Sequence, residues 1–152
     1  MLLTTGCTRD DICDQTTQTT PLLVIQFNDI NNPNEPKVVP SLAAYALVGG
    51  AETLVAPEGS VSEVAIPFRS SHNSTQYKLV FGNGTGTQNA DTITFQYTTV
   101  DQYLNRACAF KTTYDSVTAT ITDEENTNWL LQATVNFPLI EDETNAHLTV
   151  LH

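Results

Sequence analysis

Three cysteines, three histidines and seventeen carboxylates hold most of the reactive chemistry available to this chain of 152 residues. Cys7 follows Met1-Leu2-Leu3-Thr4-Thr5-Gly6. A small residue immediately before a cysteine, with apolar residues upstream, is the pattern at which bacterial lipoproteins are cleaved and acylated. Six residues are too few for the charged and hydrophobic regions of a signal peptide, and Thr4 stands where leucine is usual. Residues 1–6 are therefore read as the remnant of a lipoprotein signal and Cys7 as the lipidation site, against the alternative of an ordinary thiol near a chain end. If Cys7 carries a lipid, Cys13 and Cys108 remain. An even remainder in an exported chain suggests a disulfide between them, with two unpaired buried thiols as the competing reading.

Other chemistries find little support. There is no CxxC, and His72, His147 and His152 lie far from the cysteines and from one another, whereas a zinc site usually contains one close pair of ligands. No metal and no cofactor is expected. Gly82-Asn83-Gly84-Thr85-Gly86 has the look of a dinucleotide fingerprint, but that motif needs a helix N-terminus to hold the pyrophosphate. Here Thr87 replaces the last glycine and a strand pattern comes next, so a hairpin connection is expected. The acidic stretches Asp123-Glu124-Glu125-Asn126 and Glu141-Asp142-Glu143, with the loop at residues 28–35, offer the oxygen ligands calcium prefers. None has the DxDxDG register, and solvated turns account for them.

No GxSxG elbow is present, and His72 sits in the polar turn Ser71-His72-Asn73-Ser74. The chain is expected not to be an enzyme; a hydrolase using scattered carboxylates or His72 is the most distant alternative. Trp129 and Tyr45, Tyr77, Tyr97, Tyr103 and Tyr114 supply the rings a sugar-stacking platform would need, so an extracellular carbohydrate-binding module is the nearer one. It requires at least two of these rings exposed together.

Six Lys+Arg against seventeen Asp+Glu give a formal charge of −11. Nucleic-acid binding needs a cationic face that releases phosphate counterions, and the six basic residues are scattered, so nucleic acid is excluded. Electrostatic attachment to anionic lipid headgroups fails for the same reason. No run of 18 apolar residues exists to cross a bilayer as a helix.

The elements that must position these residues read as strands. Residues 22–27 form an apolar run suited to a strand buried on both faces. Residues 28–36 are turn chemistry throughout and are expected to be a loop. Further strands are expected at 42–48, 61–68 (with Pro67 marking an edge or bulge), 76–81, 92–98, 103–112, 116–122, 131–137 and from 148 on. The clearest alternation puts Ile93, Phe95 and Tyr97 on one face and Thr92, Thr94, Gln96 and Thr98 on the other. No long window has helical periodicity. Short strands at this spacing, broken by Gly, Pro, Asn and Asp, argue for an antiparallel β-sandwich of the immunoglobulin-like or Greek-key type with about seven to nine strands; a small barrel is the alternative. Residues 7–20 are read as a polar tether and 21–152 as one β domain.

Two blocks carry a resemblance. Cys7 with Asp10-Asp11-Ile12-Cys13-Asp14, followed by Thr19-Thr20-Pro21 and Phe27-Asn28-Asp29, and later Arg106-Ala107-Cys108-Ala109-Phe110-Lys111, resemble a group of small Bacteroidota lipoproteins catalogued as a domain of unknown function. Its second block usually has glycine where this chain has Ala109. The stretch Thr8-Arg9-Asp10-Asp11 is also similar to the signal that sends lipoproteins of that phylum to the cell surface. The resemblance implies lipidation at Cys7, pairing of Cys13 with Cys108, and an outer-membrane-anchored, periplasmic or surface-exposed protein. The implied partners are the membrane, through the lipid, and a protein or glycan of the envelope. It implies no activity and no catalytic residue.

Overall fold

Alternating apolar and hydroxyl side chains commit most of this chain to extended structure, because an apolar row on one face of a strand is buried only when that face packs on a core. The computed structural model describes Cys13 and residues 19–152. Its regular elements are all strands: β1 (Leu23–Asp29), β2 (Asn32–Pro36), β3 (Val39–Val48), β4 (Ala51–Leu54), β5 (Gly59–Val61), β6 (Glu63–Ile66), β7 (Ser74–Phe81), β8 (Asn89–Asn105), β9 (Ala109–Ile121), β10 (Gln132–Val135) and β11 (Leu148–Leu151). They form two sheets. One has the order β10-β11-β1-β2, with β6 also on β1; the other has the order β4-β3-β7-β8-β9, with β5 also on β3. The sheets do not close into a barrel, so the sandwich is the architecture observed. Strand pairing is antiparallel throughout except between β1 and β11, which run parallel with Ile25 opposite Leu148 and Phe27 opposite Val150.

Both sheets bury their inward rows against each other. Leu23, Ile25, Phe27, Leu148 and Val150 from the first sheet meet Tyr77, Leu79, Ile93, Phe95 and Tyr97 from the second. Each such side chain contributes about 1.5–3 kcal/mol by leaving water. Two aromatic groups fill the ends of the core. In one, Phe68 stacks on Tyr97 with centroids 4.3 Å apart and meets Tyr114 edge-on at 5.1 Å. Here three phenol hydroxyls hold one segment by its carbonyls: Tyr77 donates to Pro67 O, Tyr97 to Arg69 O at 2.9 Å and Tyr114 to Phe68 O at 3.5 Å. Burial raises the pKa of Tyr77 and Tyr97 and pushes Tyr114 up to about 12. In the other group Trp129 packs on Phe27, Phe81 and His152 and donates its indole N–H to Leu79 O at 3.1 Å. The next backbone N–H, that of Leu130, goes to the buried Asp91 carboxylate at 2.8 Å.

Several boundaries differ from those the sequence suggests. Asn32-Pro33-Asn34-Glu35-Pro36 is a strand and not a loop. It lies exposed along the end of β1, pairing at Asn28–Pro36 and Asp29–Asn32 with a bulge between them. An edge strand tolerates proline because one side of its ladder is never used. The stretch 61–68 is two strands: β5 pairs with β3 in one sheet and β6 with β1 in the other, so the chain changes sheets at Ser62. The stretch 103–112 contains a turn. The ends of 131–137 also leave the core, since Leu131 and Phe137 flank the short β10 and are 54% and 49% exposed.

Candidate functional site

The second sheet carries one element that outgrows it. β8 pairs with β7 only from Asn89 to Gln96; from Thr98 to Asn105 its partner is β9 alone. The two strands leave the sheet as a hairpin arm. A register shift between Gln96 and Thr98 lies at its base, opposite Ser116, whose φ is +55° and whose N–H is taken by Asp115 Oδ1 at 2.6 Å. Bulges of this kind bend a strand and re-aim the residues beyond the bend. Along the arm, Thr98 Oγ1 donates to Asp115 O and Thr112 Oγ1 to Asp101 Oδ1, at 3.2 and 2.7 Å.

At the tip, residues 106–108 turn the chain. Cys108 N–H donates to Asn105 Oδ1 at 2.7 Å and Ala109 takes the left-handed backbone conformation, φ +55°. That conformation is open to glycine at no steric cost, which gives a physical reason for glycine in the block this stretch resembles. Cys108 is therefore in a turn and not in the apolar strand expected of it. Its sulfur is at bonding distance from that of Cys13, with Cα atoms 4.9 Å apart across a sequence separation of 95. Cys13 is exposed and Cys108 half-buried, which does not suit the alternative of two buried thiols. Thr20 is fastened to the same strand: its hydroxyl accepts the Thr112 N–H at 3.0 Å. Cys7 and residues 8–11 lie outside the described residues.

Beside the tip, Tyr103 and Phe110 face each other across the strands, with centroids 5.5 Å apart and planes at 71°. They are 60% and 63% exposed, the most open of the large apolar side chains described. Phe110 was not among the rings the sequence singles out, because within 103–112 it reads as a strand residue pointing into a core. The missing cue was the turn: residues 105–108 contain no glycine or proline, and only Asn105 hints at one.

The other rings form no exposed platform. Tyr77, Tyr97, Tyr114 and Trp129 are buried, while Tyr45 carries the Lys78 ammonium 5.2 Å above its ring. The glycine loop connects β7 to β8, with Gly82 and Gly84 at positive φ and Thr85 Oγ1 donating to Gly82 O at 2.6 Å. Its neighbour is a strand, so it has no helix terminus to offer a phosphate.

The acidic stretches spend carboxylates on backbone N–H groups, two within their own turns and one on the residue just before β1. Asp123 Oδ1 accepts from Glu125 N–H, Asp142 Oδ1 from Thr144 N–H and Glu143 Oε1 from Leu22 N–H. These bonds to Thr144 hold the Asp142 carboxyl below its usual pKa. Among the described residues no three His, Cys, Asp or Glu side chains converge on one point.

The histidines are equally occupied. His72 is exposed, with Arg69 and Ser71 on its two ring nitrogens. His147 lines a hollow with Glu141 and Asp142, yet its Nδ1 accepts Val24 N–H at 3.0 Å and its Nε2 meets Asp142 O at 2.9 Å. Both nitrogens are tied to backbone, and burial depresses its pKa, so the ring serves as a neutral bracket between β1 and the loop before β11.

The fold and this site define a two-sheet β-sandwich with a disulfide-fastened hairpin arm. The model of a family of unknown function, DUF6452, matches residues 41–152, and the chain belongs to that family. No curated protein and no solved structure matches the chain significantly.

Proposed function

We propose that this is a lipid-anchored protein of the bacterial cell envelope, held to the outer membrane through Cys7, whose β domain binds an envelope partner or serves a structural role. The observation that carries the reading is the Cys13–Cys108 bond. A disulfide belongs to an oxidising, exported setting. It also uses two of the three cysteines, leaving Cys7, in the acylation pattern, as the odd one. The acidic surface suits a protein kept soluble and away from its neighbours beside a membrane. The resemblance to Bacteroidota lipoproteins points the same way.

The carbohydrate-binding alternative draws on the exposed Tyr103 and Phe110. Their planes stand 71° apart, so they offer no shared flat platform for a sugar ring, and the anchored reading has the better support. Metabolic labelling with a palmitate analogue, in cells expressing the protein from its own gene, is the test. Label is expected on the natural chain and absent from Cys7→Ala; label that survives the substitution removes the anchor.

A further inference from the structure

We infer that the tip of the β8–β9 hairpin is a membrane-contact element, which seats Tyr103, Phe110 and Arg106 in the headgroup region of the bilayer that holds the lipid. The inference rests on acylation of Cys7 and adds to it a second, non-covalent foothold. The fastening decides the geometry. Cys108 at the tip is bonded to Cys13, and six peptide units separate Cys13 from Cys7, a span of at most about 20 Å when fully extended. Of all the surfaces of the sandwich, the anchor therefore brings this one to the bilayer.

The tip has the chemistry for that place. Tyr103 and Phe110 are the most exposed large apolar side chains described, and aromatic rings favour the interface between hydrocarbon and water. Residues 102–110 carry no carboxylate in a chain of formal charge −11; their one charge is Arg106, exposed at the turn. A guanidinium suits the phosphate of a zwitterionic lipid. The contact is apolar rather than ionic, and so agrees with the absence of a cationic face elsewhere.

The test attaches the protein to vesicles chemically, which makes it independent of whether cells acylate Cys7. With Cys13 and Cys108 bonded, the full chain is coupled through Cys7 to phosphatidylcholine vesicles containing a maleimide lipid. Tyr103→Trp reports from the tip, and Thr87→Trp reports from the loop at the other end of β8. The emission of Trp129, measured in the unsubstituted chain, is subtracted. Phosphatidylcholine brominated on its acyl chains is expected to quench the tip tryptophan and leave the Thr87→Trp protein unchanged. The tip emission is also expected to shift to the blue on coupling.

Equal tip emission in brominated and plain vesicles overturns the inference and returns the aromatic pair to a protein or glycan partner. Quenching of both reporters also overturns it, since the domain would then lie on the membrane without a preferred face. Palmitate label that survives Cys7→Ala in cells, together with quenching here, would count against the anchor alone.

Discussion

Replacing Cys13 and Cys108 together by serine opens a ring that spans a sequence separation of 95. Closing a ring of that size in the unfolded chain costs about 4.7 kcal/mol of conformational freedom in the chain-entropy model, and the bond removes that freedom before folding begins. The native protein without the bond recovers some freedom too. Thr20 remains fastened to Thr112, Pro21 is buried and Leu22 N–H is held by Glu143. Thr20 is the described hold nearest the bond on that side, at a sequence separation of seven from Cys13, and is taken as the other end of the ring that the bond closes in the native state. The net effect is the difference between the two closures, 1.5RT times the logarithm of 95 over 7, or about 2.3 kcal/mol. Urea unfolding followed by Trp129 fluorescence measures it, and the midpoint is expected to fall by about 1–2 M. A loss under about 0.5 kcal/mol would refute the reasoning, because the ring would not be constraining the unfolded chain. A loss near 4.7 kcal/mol would also refute it, by showing that the segment keeps its place without the bond.

Acidification below about pH 6.5 is expected to weaken the fold, because burial lowers the pKa of both His147 and His152. The folded state binds fewer protons than the unfolded one, so this stability is fully present above the unfolded pKa and lost as pH falls through the folded value; urea midpoints at pH 7.5 and 5.5 show the sign. Tyr77→Phe strands the Pro67 carbonyl it now serves and is expected to cost about 1–3 kcal/mol, read by thermal melting. At Ala109, with φ of +55°, glycine is expected to change stability by less than about 1 kcal/mol, its relief of strain offset by freedom in the unfolded chain. Valine at the same position should cost about 1–3 kcal/mol, and equal melting temperatures for the two variants would show that the turn does not need this conformation.

The sandwich was legible because its central strands are long and one-sided. Ile93, Phe95 and Tyr97 alternate with Thr92, Thr94 and Gln96, and a slip of one residue would turn the rings to solvent. What escaped was decided outside the strand in question. Asn32–Pro36 has the composition of a loop and becomes a strand only because β1 offers it an edge. Val64, Ile66 and Phe68 alternate as one strand would, while Val61 before them pairs in the other sheet, and alternation does not record which partner a strand will find. The candidate site was half visible. Cys13 and Cys108 stood out by count, whereas Phe110 did not, since its exposure comes from a turn built on an asparagine side chain and a left-handed alanine. The aromatic count misled in the other direction, because Tyr77, Tyr97 and Tyr114 turn their hydroxyls to backbone carbonyls inside the core.

The parallel pairing of β1 with β11 sets an order of events. The second sheet is assembled mostly from neighbours in the chain, β3 with β4, β7 with β8 and β8 with β9. β1, at the centre of the first sheet, finds Leu148 only 123 residues after Ile25. Contacts this distant in sequence form late and slow folding. As the chain lengthens during synthesis, the apolar run of β1 is completed early and then waits, one edge open, until the final strand has been made. An unpaired apolar strand edge is a template for aggregation, so this protein has reason to depend on a holding factor during that interval. Truncation before Leu148 is expected to yield aggregates rather than a smaller soluble sandwich.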